Sequence, residues 1–270
     1  MEAQEAKAVV LVVAGLDPSG GAGLAADIRT FSALGVYPAP AISAITVQDT
    51  RGVYSVRPVE PDLLRRQVEV VLADLGPELA KVGVLYSAEN VSTMASLAEE
   101  HGLRLVVDPI LRAGAGQELL EKNALETLLE ELIPASFALT PNAREAEEIS
   151  GVEIKSLGDA REAAREIAEM GPEAVVVKGG HVRGAEAVDI LYHRGRFHEF
   201  SRPRLPGDAH GSGCVFSSAL TAFLALGEEV PEAVRRAGDL AWEAIHWPLK
   251  VGSGRPSADP LCGLYREAER

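Results

Sequence analysis

Cysteine is nearly missing: the 270 residues hold two, Cys214 and Cys262. Neither lies in a Cys-x-x-Cys pair or a Cys/His spacing, which argues against a structural zinc module and leaves room for one disulfide at most. Blocks of basic residues are missing too, and the net charge is −14. Without a positive field a protein does not bind nucleic acid or anionic membranes non-specifically. An anionic substrate is still allowed, because a few local donors suffice for a phosphate. Long apolar runs are absent. The run from Ala8 to Leu16 is too short to cross a bilayer, follows no basic leader and stops at Asp17. These gaps predict a cytoplasmic protein with reduced thiols. Aromatics make up 5%, so Ala, Val, Leu and Ile must fill the core. Asn and Gln are scarce, three and four, which suits a heat-stable protein, although genome composition produces the same bias.

What is present is enough for a large core, since 47% of the residues are hydrophobic. Val9 to Ala14 is a continuous β-branched run, as in a strand buried on both faces. Similar short runs at 41–47, 80–85, 103–107, 137–140 and 174–177 predict further strands, and 187–200 alternates like an edge hairpin. Helical spacing covers 22–34, 61–72, 87–101, 118–132, 142–150, 158–170, 212–226 and 231–247. Strand and helix alternate with short connections. That pattern predicts an α/β fold of three layers, with a central, mostly parallel sheet between helices. No linker, repeat or low-complexity segment interrupts it, so residues 1–270 are read as one domain.

In such sheets ligands bind beyond the carboxyl ends of the strands. Candidate ligand residues stand at six predicted strand ends: DPSGGAG, Gln48-Asp49, Val84, Asp108-Pro109, Thr140-Pro141-Asn142 and Lys178-Gly179-Gly180-His181. Two glycine turns, Ser19 to Gly23 and Gly211 to Gly213, open helices, and bare amides at a helix N-terminus favour anions. Neither is a Walker A loop, since no Gly-Lys-Ser/Thr follows. Gly21, Gly23 and Ala26 satisfy a loose dinucleotide pattern, but the nearest acid, Asp49, comes too late in the chain. Asp108, Asn142 and Glu145 offer oxygen ligands suited to Mg²⁺. Lys178 offers a point charge for a phosphate. Together they form the kit of phosphoryl transfer. Beside them Cys214 heads a helix next to glycine amides, where a thiol pKa falls, and a thiolate there would serve as general base. A buried, inert cysteine is the competing reading. His210 and Asp208 are rival bases.

Seven stretches carry a family resemblance in order: AGLDPSGGAGLAADIRTFSALGVY, AITVQDTRGV, KVGVL, VVDPI, LTPNAREAE, VVVKGGH and HGSGCVFSSAL. The set resembles the hydroxymethylpyrimidine/phosphomethylpyrimidine kinases of thiamin biosynthesis, members of the ribokinase-like superfamily close to pyridoxal kinases. The resemblance implies ATP- and Mg²⁺-dependent phosphorylation of 4-amino-5-hydroxymethyl-2-methylpyrimidine, of its monophosphate, or of both. It implies that Gln48 pairs with the pyrimidine, as an amide that donates and accepts can. Gly15, Ala22, Asp27 and Val84 would complete that pocket. Cys214 would be the base, and the amides of Gly211, Ser212, Gly213 and Cys214 the anion hole. Asp108 and Glu145 would serve the metal, and Asn142 and Lys178 the nucleotide phosphates. A homodimer is implied as well. The chain departs from the pattern at Asp208-Ala209, at Ala25 and along Ile110 to Gly116, where Arg112 stands in for a missing lysine as phosphate ligand. These departures leave the second phosphorylation and a pyridoxal preference open. Outside enzymes of this class, a ligand sensor and a thiol-redox protein are the alternatives.

Overall fold

The protein is described from a computed structural model, which covers residues 5–114, 116–179, 184–207 and 209–264. The predicted His181, Gly180 and Asp208 therefore lie outside the described residues.

Among the described residues nine strands form one sheet in the order β3-β2-β1-β4-β5-β6-β7-β8-β9. β1 (Val9–Leu16), β2 (Tyr37–Asp49), β4 (Leu79–Val82), β5 (Arg104–Val107), β6 (Ser136–Leu139) and β7 (Ala174–Val177) run parallel. β3 (Gly52–Pro58), β8 (Glu186–His193) and β9 (Arg196–Pro203) add antiparallel edges. The β-branched strands pack two ways because alternate side chains face opposite layers. Leu11 and Val13 of β1, Leu105 and Val107 of β5, and Val175 and Val177 of β7 face one apolar cluster. α2 (Pro61–Leu75), α3 (Ala88–His101), α5 (Ala143–Ser150) and α6 (Leu157–Glu169) cover it. Val10 and Val12 of β1, Val106 of β5 and Val176 of β7 point the other way. There α1 (Gly23–Ala33), α7 (Ser212–Ala225) and α8 (Val230–His246) cover them. The expected α/β/α layering is the observed one.

Two elements differ from the expectation. The helix expected over 118–132 forms only from Ala124: α4 (Ala124–Thr127) runs into a π turn, Leu128–Leu132. Upstream, Glu118 bridges to Arg112 and Leu120 to Tyr86, so those residues spend their backbone groups on neighbouring loops instead. Strand β3 was not predicted. Its residues carry little apolar alternation because they pair on one side only and lie largely exposed. After β1 the chain moves to β2 on one side; it then returns to β4 on the other. The crevice beyond β1 and β4 is thus the topological switch point, where open α/β sheets bind ligands.

Candidate active site

A cavity of about 390 Å³ opens at that switch point. Gly15 ends β1, Gln48 ends β2 and Val84 follows β4 on its wall. Asp108 follows β5, Asn142 and Glu145 follow β6, and Lys178 follows β7. Ala22, Arg112 and the Gly211, Ser212, Gly213, Cys214 turn complete the wall. Asp27 is a correction. Its side chain does not line the cavity but is fully buried, bonded to Lys81 Nζ at 2.9 Å and to Ser218 Oγ at 2.8 Å. A position one helical turn into α1 turns the carboxyl inward, where burial without Lys81 would be prohibitive.

Glycine is required where the two loops meet. Gly211 has φ +80°, and a β-carbon there would overlap the Gly21 carbonyl. Gly23, at φ +54°, sits likewise against the Gly15 carbonyl. The DPSGGAG loop and the turn before α7 are therefore in direct backbone contact. Gly213 has a different use: a β-carbon there would lie 3.2 Å from Lys178 Nζ and 3.4 Å from Asp108 Oδ2. Its bare Cα lets the first turn of α7 approach both charges.

Lys178 Nζ donates to Asp108 Oδ1 at 2.7 Å. Burial works against the ammonium, but Asp108 and Glu145 more than offset it and hold its pKa above the lysine value. Glu145 is pushed up to about 7, chiefly by burial and then by Asp108, against the pull of Lys178. It also closes a capping box on α5: Asn142 N–H donates to Glu145 Oε2 at 2.8 Å, and Glu145 N–H donates to Asn142 Oδ1 at 3.1 Å. A local cap thus holds Glu145 on the cavity wall. Among the described residues no group of three or more His, Cys, Asp and Glu is arranged to hold a metal ion. Asp108 and Glu145 fit a Mg²⁺ that takes one or two carboxylates and keeps phosphates and waters as its other ligands.

Cys214 brings a second correction. The helix N-terminus was expected to depress its pKa. Burial instead pushes the thiol up to about 12, although Lys81 pulls the other way and the Gly23 backbone assists. The residue is 5% exposed, and desolvating a thiolate outweighs what a few amides return. Cys214 is a buried thiol, and among the described residues no disulfide involving it supports the redox reading. Arg112 reaches the wall while forming two bonds to Glu148, at 2.7 and 3.3 Å.

The sequence reading missed one feature. His210 Nε2 lies 2.9 Å from Asp17 Oδ2 and 3.0 Å from the Gln48 amide. Asp17 and His210 are 193 positions apart. Nothing local joins them, and only the glycine contact between their loops hints at it.

The profile of the phosphomethylpyrimidine kinase family matches residues 17–259. A hydroxymethylpyrimidine/phosphomethylpyrimidine kinase of Bacillus subtilis is 40% identical over 247 residues, 90% of this chain and 91% of the relative. Among solved structures, the phosphomethylpyrimidine kinase of Clostridium difficile matches with a TM-score of 0.79 at 39% identity, over 88% of this chain and 99% of the other. The pyridoxal kinase of Staphylococcus aureus, solved with AMP-PCP and pyridoxal, matches with a TM-score of 0.85 at 30% identity, over 94% and 93%. Backbone likeness spreads over both kinds of kinase, whereas the higher sequence identity lies with the pyrimidine enzymes. By the match across nearly all its length, the chain belongs to the phosphomethylpyrimidine kinase family.

Proposed function

We propose that this protein transfers the γ-phosphoryl group of ATP to the hydroxymethyl oxygen of 4-amino-5-hydroxymethyl-2-methylpyrimidine, to the monophosphate so formed, or to both. The observation that carries the reading is one cavity walled by a ring-reading amide, Gln48, and by the Gly211–Cys214 turn. The ring lies against Gly15, Ala22 and Val84, with its polar edge on Gln48. Its hydroxymethyl points to the turn at the head of α7. Amides at the start of that 14-residue helix receive the charge of the transferred group. Lys178 adds a point charge, and Asn142 and Arg112 lie near enough on the wall to meet nucleotide phosphates.

The oxygen–phosphorus bond to ADP breaks as the bond to the hydroxymethyl oxygen forms. The hydroxyl proton passes to Cys214 Sγ, which must then be thiolate. When bound through Asp108 and Glu145, Mg²⁺ supplies neutralisation of phosphate charge. For the monophosphate the acceptor is already an anionic oxygen, and no base is needed.

A pyridoxal kinase is the second reading, favoured by the higher TM-score. Mass spectrometry of products separates the two, after incubation with Mg-ATP and the pyrimidine, its monophosphate or pyridoxal in turn. Mono- or diphosphate from the pyrimidines supports the proposal, and pyridoxal phosphate alone overturns it. Gln48→Ala should cut pyrimidine turnover far more than pyridoxal turnover.

The resemblance further supports a homodimer, and the outer face of β2 suits one. Ile45 and Val47 are 51% and 59% exposed there.

A further inference from the structure

The two polar ends of the Gln48 amide have the same shape, so the protons around it decide which end is oxygen. Asp17 accepts from Ser19 N at 2.8 Å, Ser19 Oγ at 2.7 Å and Ala22 N at 2.9 Å. Burial works against its charge, but His210 and Ser19 more than offset this and hold its pKa below the usual carboxylate value. Asp17 is thus ionised and only accepts. His210 Nε2, 2.9 Å away, must carry a proton. That single N–H is shared between Asp17 Oδ2 and the amide atom 3.0 Å away, which must be the oxygen, since a nitrogen there would set N–H against N–H. At the other end stands Thr46 Oγ1, 3.2 Å from the amide. Its one proton goes to the Leu16 carbonyl at 3.0 Å, which can only accept. Thr46 Oγ1 therefore accepts from the amide, and the atom facing it is nitrogen. Both ends agree: Oε1 faces His210 and Nε2 faces Thr46.

The ring of His210 is itself fixed. Its backbone N–H donates to Pro256 O at 2.8 Å, and its carbonyl accepts from Ala258 N at 2.9 Å. A β-carbon on Gly21 would strike the ring at 2.5 Å, so the ring stands against bare backbone.

We propose that Asp17, acting through His210, and Thr46 together lock the polarity of the Gln48 amide, and that this lock selects an aminopyrimidine edge over an oxopyrimidine edge. The inference rests on the pyrimidine reading above. The locked amide offers one N–H on the Thr46 side and one lone pair on the His210 side. A 4-aminopyrimidine presents a ring nitrogen that accepts and an adjacent amino group that donates, and it pairs in one sense. The 4-oxo analogue presents the reverse order, N–H against N–H and oxygen against oxygen. A freely turning glutamine would rotate to suit either. A locked one must break the bonds to His210 and Thr46 to do so, which is worth about 10–100-fold in kcat/KM. Asp17, His210 and Thr46 are positioning residues here, since they act through Gln48.

The test compares kcat/KM for 4-amino-5-hydroxymethyl-2-methylpyrimidine and its 4-oxo analogue with Mg-ATP. Wild type should prefer the amino compound by about 10–100-fold. Thr46→Val and His210→Leu should each shrink that ratio about tenfold, mostly through KM, while Thr46→Ser keeps it. Thr46→Val preserves shape, so a ratio that falls there is not a folding effect. No wild-type preference, or variants that lose both substrates in equal proportion, would overturn the inference. Wild type inert toward both pyrimidines but active on pyridoxal would sink the pyrimidine reading itself, and the inference with it, before any variant is made.

Discussion

Cys214 lies between opposed charges: Lys81 and Lys178 on one side of the balance, Asp27 and Asp108 on the other, with burial against the thiolate. A base with a pKa near 12 is scarce at neutrality and grows tenfold with each pH unit. If Cys214 takes the hydroxyl proton, kcat/KM for the pyrimidine should climb about tenfold per unit from pH 7 to 9. The monophosphate step should stay flat over that range. Cys214→Ala should lower the first step about 10²–10³-fold and the second far less. Equal losses in both would mark Cys214 as structural. Beneath it, Lys81 and Asp27 are both fully buried and 2.9 Å apart. Lys81→Met strands the Asp27 charge and should cost about 3–5 kcal/mol in urea unfolding. Adding Asp27→Leu should recover much of that; no recovery would mean the pair is not the cause.

At the scale of elements, most of the site was legible because strand ends carry it. Apolar runs located the parallel strands, and for four of them the next residue, Gly15, Gln48, Asp108 or Lys178, is on the cavity wall. Gln48 and Thr46 share a face of β2 by simple alternation, while Val47 between them points out. The pairing shift at Val47/Gln48 leaves Tyr54 of β3 without a register partner, so β2 keeps its alternation. What was not legible depends on partners: β3 is defined by pairing with β2, and the first part of the expected helix over 118–132 is claimed by bridges to other loops. α5 gives this scale its prediction. A carboxyl held protonated to about pH 7 in the fold but only to about 4.5 in the open chain stabilises the fold below pH 4.5, and that stability is lost as pH rises to 7. Glu145→Gln keeps the cap and lacks the titration. The variant should gain on wild type between pH 4.5 and 7, by on the order of 3 kcal/mol at most, and hold a constant lead above. Parallel melting curves across that range would refute the assignment.

At the scale of the whole molecule, charge and layering were readable from composition and periodicity, but an interface was not. Exposed Ile45 and Val47 are ordinary strand residues in sequence; only the sheet order reveals that they stand one strand in from an edge, and both are more than half exposed. A dimer built there should fall to monomer on Ile45→Glu with Val47→Glu, by light scattering after size-exclusion chromatography. A dimer that survives both changes uses another face.

The contact between Gly21 and Gly211 has a temporal side. Asp17 and Gln48 leave the ribosome well before His210, the Gly211–Cys214 turn and the Pro256–Ala258 backbone that fixes His210. Until they emerge, the early strands have a ligand wall with nothing opposite it. Substrate can therefore stabilise only a chain that already includes them, and stalled nascent chains that end before residue 210 should gain no protease resistance from it.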